Sequence, residues 1–478
     1  MSDLLRDFAA AVARHPDRIA LIDGRGRDVT FAALQARAVR MAADWQRQGI
    51  GPGDRVLLAM RLDADLYAAL AALWSLGATV VLPEPAMGLA GLRHAARVTR
   101  PRAFCSSGAY GLLKYLLPAL WPLTHLRPSR NSAVARSATD AALPPPSGAD
   151  IALISFTSGT GGAPKAIPRS HDFLAAQHRA IAPMLDSDRE ERDLVAFPVF
   201  VLINIASGRS SVLPSWRMSR LDRLRPGALR KWIETRRATR ALLPPALCRT
   251  LARAGGATGL RHLFTGGGPV FPGLLEALNR VAPDLRVTCV YGSTEAEPIA
   301  HLDAVSITPA DRAEMQGGGG LLVGHPVAAL GLRLQEDEIQ VAGDHVNRGY
   351  LDPAQDAGTK IREGGVIWHR TGDAGRLDAQ GRLWLLGRKG DEVRIAGCLT
   401  HPFPLELAAR QWPGVVQAAL IGRAGQACLY IEGETTHLPD WQDRAHALGI
   451  DAVIPLARMP MDRRHRSKID RKALKSRN

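Results

Sequence analysis

The segment TSGTGGAPK, from Thr157 to Lys165, combines hydroxyl side chains, glycines and one lysine directly after the apolar run Ile151–Phe156. Glycine lets backbone N–H groups approach an oxyanion closely, so a strand that opens into such a segment predicts a phosphate-binding loop. The segment is not the G-x-x-x-x-G-K-[ST] loop, because Pro164 precedes Lys165 and no Ser or Thr follows it. Taken alone, such a segment is weak evidence and is more typical of a solvated turn.

Five further motifs follow in the chain: GGG at Gly266–Gly268, YGSTE at Tyr291–Glu295, TGD at Thr371–Asp373, GRKGDEVRIAG at Gly387–Gly397 and SKIDRKAL at Ser467–Leu474. With the loop, this ordered set resembles the acyl-adenylate-forming superfamily of AMP-dependent synthetases and ligases. That superfamily includes acyl-CoA synthetases, luciferases, peptide-synthetase adenylation domains and β-lactone synthetases. The resemblance starts with HPDRIALIDGRGRDVTFAALQ at 15–35 and GIGPGDRVLLAM at 49–60, so it covers nearly the whole chain. It implies an enzyme that activates a carboxylic acid with ATP and releases pyrophosphate.

The resemblance also implies which residues bind the nucleotide. The phosphate loop would consist of Thr157, Ser158, Gly159, Thr160, Gly161, Gly162 and Lys165. Gly161 stands where the family usually has Thr, which removes one hydroxyl contact. The adenine base would lie against Gly266, Gly267, Gly268 and the ring of Tyr291, next to Gly292 and Ser293. Asp373 would accept hydrogen bonds from both ribose hydroxyls, and Arg388 would support the same sugar.

Three residues would act at the reacting centre. Joining a carboxylate to ATP brings two anions together, so the site must neutralise charge and align the reacting atoms. By resemblance, Thr294 contacts the α-phosphate and Glu295 binds Mg²⁺, with Thr160 as a second metal contact; oxygen ligands suit this hard cation. Lys468 would reach the acyl carboxylate and the α-phosphate, where its ammonium stabilises charge in the transition state. The alternative for Lys468 is a basic tail on a final helix.

Three segments lean towards one branch, the β-lactone synthetases of olefin biosynthesis: PEPAMGLAGL (83–92), FPVFVLINIASG (197–208) and MPMDRRHRSKID (459–470). In that branch an R-H-x-x-K-I signature surrounds the lysine, and the enzymes adenylate a 3-hydroxy fatty acid whose own hydroxyl then expels AMP. An apolar acyl pocket would include Phe200, Leu202, Ile203, Ile205, Glu297 and Ala300. Apolar residues in these positions are equally typical of ordinary core.

Two alternatives stay open. Gly397, which thioester-forming members use to admit a pantetheine arm, is present, so CoA or an acyl carrier protein remains a possible acceptor. Gly390 at the hinge, Pro404 in place of an expected Glu, and Gly161 are compatible with a non-catalytic nucleotide-binding homologue. Intact Glu295 and Lys468 favour an active ligase.

These residues need a scaffold, and strand-like runs alternate with helical segments as in an α/β fold built on parallel sheets. The strand-like runs are 56–60, 79–82, 151–156, 241–243 and 286–291. The resemblance predicts a large N-terminal adenylation domain of stacked sheets and helices over 1–388, which binds ATP and the acyl group. A small mobile α+β lid over 389–478 would carry Lys468. The stretch 131–150 is typical of a surface linker, and 317–320 is a second flexible site.

Composition limits the partners and the compartment. Five cysteines in 478 residues, widely spaced and never in a C-x-x-C pair, favour reduced thiols and a cytoplasmic location. No secretory signal is recognised at Met1, and 66–82 is predicted to be a buried helix followed by a buried strand rather than a membrane span. The net charge of +15 is spread among acidic residues along most of the chain and lacks aromatic interleaving, which disfavours nucleic acid. It remains compatible with ATP, an acidic lipid or an acidic carrier protein.

Overall fold

The computed structural model describes residues 3–128, 147–157, 164–462 and 467–476. The chain packs into two compact units. The first comprises Met1–Leu242, Ala257–Leu260 and Asp344–Gly358, and the second comprises Leu243–Gly256, Arg261–Gly343 and Thr359–Asn478. The domain boundary predicted from the sequence, between 1–388 and 389–478, stays a prediction. Most of the predicted linker lies outside the described residues.

The helices of the first unit are α1 (Leu4–Arg14), α2 (Phe31–Arg47), α3 (Ala64–Ser75), α4 (Gly88–Thr99), α5 (Leu113–Leu116), α6 (His171–Ile181), α7 (Pro198–Ala206) and α8 (Pro226–Thr235). Its strands are β1 (Ile19–Ile22), β2 (Asp28–Thr30), β3 (Arg55–Ala59), β4 (Thr79–Val81), β5 (Ala103–Ser106), β6 (Thr124–Leu126), β7 (Ile151–Phe156), β8 (Ala166–Ser170), β9 (Arg192–Val195), β10 (Ser210–Val212) and β11 (Arg240–Leu243).

Two sheets organise this unit. In one, β3 lies between β4 and β5, β7 extends the sheet beyond β4, and β6 extends it beyond β5, all in parallel. Strand β8 runs antiparallel beside β7. In the other sheet β11, β9, β10 and β1 are parallel and β2 is antiparallel. Parallel strands are covered by helices on both faces and therefore read as continuous apolar runs, which is why the sequence located them.

The apolar stretch 66–82 folds as predicted, as the buried helix α3 followed by the buried strand β4. Helix α1, in contrast, was not predicted. Its start is capped by Asp3, whose side chain accepts a hydrogen bond from the backbone N–H of Arg6, and Leu4, Phe8 and Val12 form its buried face. That cap and apolar spacing are the signal that sequence reasoning passed over.

The helices of the second unit are α9 (Pro245–Arg253), α10 (Pro272–Val281), α11 (Pro309–Gln316), α12 (Pro402–Ala409), α13 (Leu438–Ala447) and α14 (Arg471–Lys475). Its strands are β12 (His262–Gly266), β13 (Arg286–Ser293), β14 (Ala296–Asp303), β15 (Leu321–Pro326), β16 (Gly331–Gln335), β17 (Glu338–Ala342), β18 (Lys360–Glu363), β19 (Val366–Leu377), β20 (Leu383–Arg388), β21 (Val393–Ile395), β22 (Cys398–Thr400), β23 (Val415–Arg423), β24 (Gln426–Gly433) and β25 (Ala452–Leu456).

Strand β12 pairs in parallel with β13, and an antiparallel series then runs through β14, β15, β20, β19, β17 and β16. Residues beyond 388 form the hairpin β21–β22 and the sheet β23–β24–β25, which packs a core of Leu420, Leu429 and Trp441. This part has the α+β composition expected of it. The predicted α/β fold class is confirmed, whereas the mobility of the C-terminal part stays a prediction.

Two global features bear on the compartment and the membrane. All five cysteines are free thiols, four of them buried and Cys398 exposed. Within the described ranges, no helix is both long and apolar enough to cross a membrane.

Candidate active site

The described ends of the predicted phosphate loop belong to the first unit and lie side by side. Strands β7 and β8 bring Phe156 opposite Ala166, and the backbone N–H of Thr157 donates to the carbonyl of Lys165 at 3.1 Å. The Lys165 ammonium lies 4.5 Å from the centre of the Tyr350 ring, a cation–π contact that holds the lysine at the base of the loop. The contacts predicted for Ser158, Gly159, Thr160, Gly161 and Gly162 lie outside the described residues.

In the second unit the structure joins three predicted nucleotide residues around one carboxylate. Asp373 lies opposite Arg388 across the β19–β20 pair. One carboxylate oxygen accepts a hydrogen bond from the Tyr291 hydroxyl at 2.7 Å, and the other accepts from the Arg388 guanidinium at 2.8 Å. Thr371 positions the aspartate by accepting its backbone N–H at 3.0 Å while donating to the Ile339 carbonyl. Sequence reasoning named Thr371 only as part of the TGD motif.

Charge and burial reinforce this arrangement. Burial lowers the pKa of Arg388, but the carboxylates of Asp373 and Glu295 outweigh it, so the net pKa is raised and the guanidinium stays charged. Burial and the neighbouring Asp373 charge raise the pKa of Tyr291 well above its ordinary value, which keeps the phenol a hydrogen-bond donor. The cluster is therefore a carboxylate flanked by two donors. A carboxylate has about four acceptor positions, so about two remain for a ligand's hydroxyls.

The glycine run 266–268 is needed for close packing. A Cβ on Gly266 would stand 2.5 Å from the Val290 carbonyl oxygen, its partner on β13. Gly267 has a φ of +75°, a conformation that glycine adopts without strain. A Cβ on Gly268 would stand 2.6 Å from the Cβ of Ser467, the residue before Lys468. The run predicted to receive the adenine thus borders the lysine segment.

Thr294 and Glu295 form the two-residue tip between β13 and β14, where Ser293 pairs with Ala296. The Ser293 hydroxyl accepts the backbone N–H of Ala296 at 3.2 Å and closes this turn. Glu295 is half-buried, and its charge acts on Arg388. Mg²⁺ in nucleotide enzymes is held by one or two carboxylates together with phosphate oxygens, so the Glu295 carboxylate fits that ion. When bound, Mg²⁺ would supply positive charge that neutralises the charge developing on the phosphates.

Asp462 holds the backbone of Lys468 through both its side chain and its own backbone. The Asp462 carboxylate accepts the backbone N–H groups of both Ser467 and Lys468 at 2.8 Å, and the Asp462 N–H donates to the Lys468 carbonyl at 2.8 Å. An isolated antiparallel β-bridge pairs Met461 with Ile469 beside these bonds. The Ser467 hydroxyl accepts the N–H of Ala246 in the first turn of α9 at 3.3 Å. Sequence reasoning missed Asp462 and Ser467, although both stand in the segment that it quoted.

The helix after Lys468 has its own anchor. The Arg471 guanidinium donates to the Leu420 carbonyl at 2.8 Å and to the Glu406 carboxylate at 2.5 Å. Glu406 is buried and also accepts the backbone N–H of Leu420. A buried acid is therefore present two residues after Pro404, the position where the sequence lacked an expected Glu.

The acyl pocket stays a prediction. Phe200, Leu202, Ile203 and Ile205 are all buried in α7, and Ala300 is buried in β14. Burial of this kind fits a core position as well as a pocket wall.

An α/β fold and a carboxylate held between two donors are compatible with a nucleotide-binding enzyme, and comparison with known proteins gives its family. The chain belongs to the AMP-binding enzyme family, whose model matches residues 8–351. It is similar to the olefin beta-lactone synthetase of Stenotrophomonas maltophilia, with 29% identity over 94% of this chain and 91% of that protein. It is also similar to the olefin beta-lactone synthetase of Xanthomonas campestris, with 29% identity over 98% of this chain and 97% of that protein.

The fold is shared with solved structures. The o-succinylbenzoate CoA synthetase MenE of Bacillus subtilis, solved with the acyl-adenylate intermediate OSB-AMP, superposes with a TM-score of 0.79 at 21% identity, over 100% of this chain and 99% of that one. The same enzyme has been solved with ATP and a magnesium ion. The predicted superfamily is confirmed, and the chain is an acyl-adenylate-forming, AMP-dependent acid ligase that uses ATP. Its use of Mg²⁺ stays a prediction. The role of each site residue stays a prediction.

Proposed function

We propose that this enzyme adenylates a 3-hydroxy fatty acid and then closes it to a β-lactone. The proposal rests chiefly on the R-H-x-x-K-I sequence at 464–469, which resembles the signature of the β-lactone branch. In the structure, Ser467 of that sequence packs against Gly268. Two relatives of that activity, similar over nearly their whole length, support it.

In the first step a substrate carboxylate oxygen attacks the α-phosphorus of ATP, and the bond to the bridging oxygen of pyrophosphate breaks. Asp373 accepts the ribose hydroxyls while Tyr291 and Arg388 hold its carboxylate in place. Lys468, whose backbone Asp462 fixes, brings an ammonium to the developing negative charge.

In the second step the 3-hydroxyl oxygen attacks the acyl carbon and loses its proton to solvent. The bond from that carbon to the phosphate oxygen breaks, and AMP leaves. The nucleophile already belongs to the acyl group, so an external thiol is unnecessary. ATP cleavage supplies the free energy stored in the four-membered ring.

The experiment compares 3-hydroxy and plain fatty acids of equal length, each with ATP and Mg²⁺, with and without CoA or a carrier protein. We expect AMP release from the 3-hydroxy acid without thiol, and by mass spectrometry a product equal to that acid minus one water. AMP release that requires a thiol contradicts ring closure and favours a CoA or carrier-protein ligase, for which the retained Gly397 is the supporting observation.

A further inference from the structure

The segment between β5 and β6 exposes its large apolar side chains. It consists of a 3₁₀ turn (Gly108–Leu112), helix α5, and a second 3₁₀ turn (Pro118–Leu120). Five of its side chains, called the apolar patch below, are exposed: Tyr110 40%, Leu112 61%, Tyr115 66%, Leu116 65% and Trp121 61%. A soluble surface scatters such residues singly, whereas a cluster within a dozen positions marks an interaction site.

Two hydrogen-bond donors of the same segment, Lys114 and the Trp121 indole, are bonded to backbone carbonyls of the segment and of Leu123. Lys114, the sole charged residue between 107 and 123, donates its ammonium to the carbonyls of Leu120, Trp121 and Leu123 at 2.6, 2.7 and 2.6 Å. These three bonds use all three ammonium protons. The Trp121 indole N–H donates to the Tyr115 carbonyl at 3.1 Å, so the ring presents its apolar part outward. An ordinary surface loop exposes its polar groups and buries its apolar side chains, whereas this segment does the reverse for these residues.

In the sequence, the charged residues that flank the apolar patch have one sign. Between Glu84 and Asp140 the sequence has no acidic residue but seven arginines and one lysine, about half of the net charge of +15. Helix α4 packs Leu92 against Leu117 and Leu120 of the patch segment. Its opposite side exposes Arg93, Arg97 and Arg100. Across the described ranges, none of these three arginines makes an ion pair.

Exposed tyrosine, tryptophan and leucine side chains, together with arginines that form no ion pair, are the combination that anionic bilayers bind. Aromatic rings settle at the headgroup level, and arginines are drawn to anionic lipids. A basic protein partner is less well matched, because the 55 residues from 85 to 139 offer no carboxylate to pair with its basic groups. We propose that the apolar patch and the arginines of α4 dock this protein on the surface of an anionic phospholipid membrane. The inference does not depend on the acyl acceptor.

The test is cosedimentation of the full chain with vesicles of phosphatidylglycerol and phosphatidylcholine, or of phosphatidylcholine alone. We expect binding to the anionic vesicles at least tenfold tighter than to the neutral ones, weakening as salt screens the charges. A double variant, Arg93→Gln with Arg97→Gln, should lose roughly fivefold in partitioning per arginine. No binding of the wild-type chain to anionic vesicles overturns the proposal.

A second double variant tests the apolar patch. Leu112→Glu with Leu116→Glu should reduce vesicle binding at least tenfold, while pyrophosphate release with a water-soluble acid stays unchanged. The matched control, Val305→Glu with Val416→Glu, adds the same charge at apolar residues of the second unit that are 81% and 56% exposed, and it should lose far less. Equal losses in the two double variants mean that charge alone governs binding and overturn docking through the patch. Self-association that the patch variant abolishes, without vesicle binding by the wild type, assigns the surface to a second copy instead.

Discussion

Replacement of Asp373 tests the nucleotide site most directly. One oxygen of its carboxylate accepts a hydrogen bond from the Tyr291 hydroxyl at 2.7 Å, and the other accepts one from the Arg388 guanidinium at 2.8 Å. About two of roughly four acceptor positions therefore remain for ribose hydroxyls. We expect Asp373→Ala to weaken ATP binding much more than it slows the chemical step, because the ribose contact is the same in the ground and transition states.

The magnitude follows from the bonds that are lost. A hydrogen bond to a charged group contributes about 1.5–3 kcal/mol, and about 1.4 kcal/mol corresponds to a tenfold change in binding. Loss of one ribose bond alone thus raises the KM for ATP roughly tenfold to a hundredfold. Asp373→Asn keeps one acceptor oxygen, so its KM should rise less. Tyr291→Phe removes one donor to the carboxylate but leaves the acceptor and the ring, and it should change the KM least.

The assay is pyrophosphate release at varied ATP with saturating acid, beside circular dichroism of each variant. An unchanged KM for ATP in Asp373→Ala, with the fold intact, would refute the assignment of Asp373 to the ribose. Equal effects of Tyr291→Phe and Asp373→Ala would mean that the cluster acts as a structural unit rather than through the carboxylate.

Three further outcomes are expected. Lys468→Ala should leave the ATP affinity measured by calorimetry nearly intact but slow adenylation on the order of a hundredfold. The control Lys472→Ala, at an exposed lysine four residues on, should not slow adenylation. Equal effects of the two variants would assign both lysines to a basic tail. Asp462→Ala should lower kcat with little change in the KM for ATP, because it frees the backbone of Lys468. Asp462→Asn keeps an acceptor oxygen and should recover much of the rate. A rise in the KM for ATP alone would contradict this positioning role. The hydrogen bond from Arg382 lowers the pKa of Asp311 from 3.8 to about 2. The ionised Asp311 therefore contributes about 2 kcal/mol to the free energy of unfolding. This contribution is complete above pH 4 and is lost as the pH falls towards 2. The difference in Tm between wild type and Asp311→Asn should therefore narrow as pH drops from 5 to 2.5; a constant difference would contradict this.

Strand positions were predictable because burial on both faces leaves a direct record in the sequence. The runs at 151–156 and 79–82 are continuous and apolar, and they fold as β7 and β4. Helix α1 was missed because its buried apolar residues recur along one face of the helix and do not form one continuous run in the sequence. The motif residues were located by type and order, which the reaction itself constrains.

What the sequence determined by itself was the class of chemistry: a glycine-rich loop, a carboxylate and a lysine in family order predict an acid ligase that uses ATP. It did not determine contacts across long separations. Only the folded chain pairs Tyr291 with Asp373, which are 82 residues apart, and Ala246 with Ser467, which are 221 apart. Such pairs depend on strand register and on space left by a missing side chain, as at Gly268. Strand register and the space beside a glycine cannot be read from local residue patterns, because packing and hydrogen-bond geometry arise only when distant segments meet.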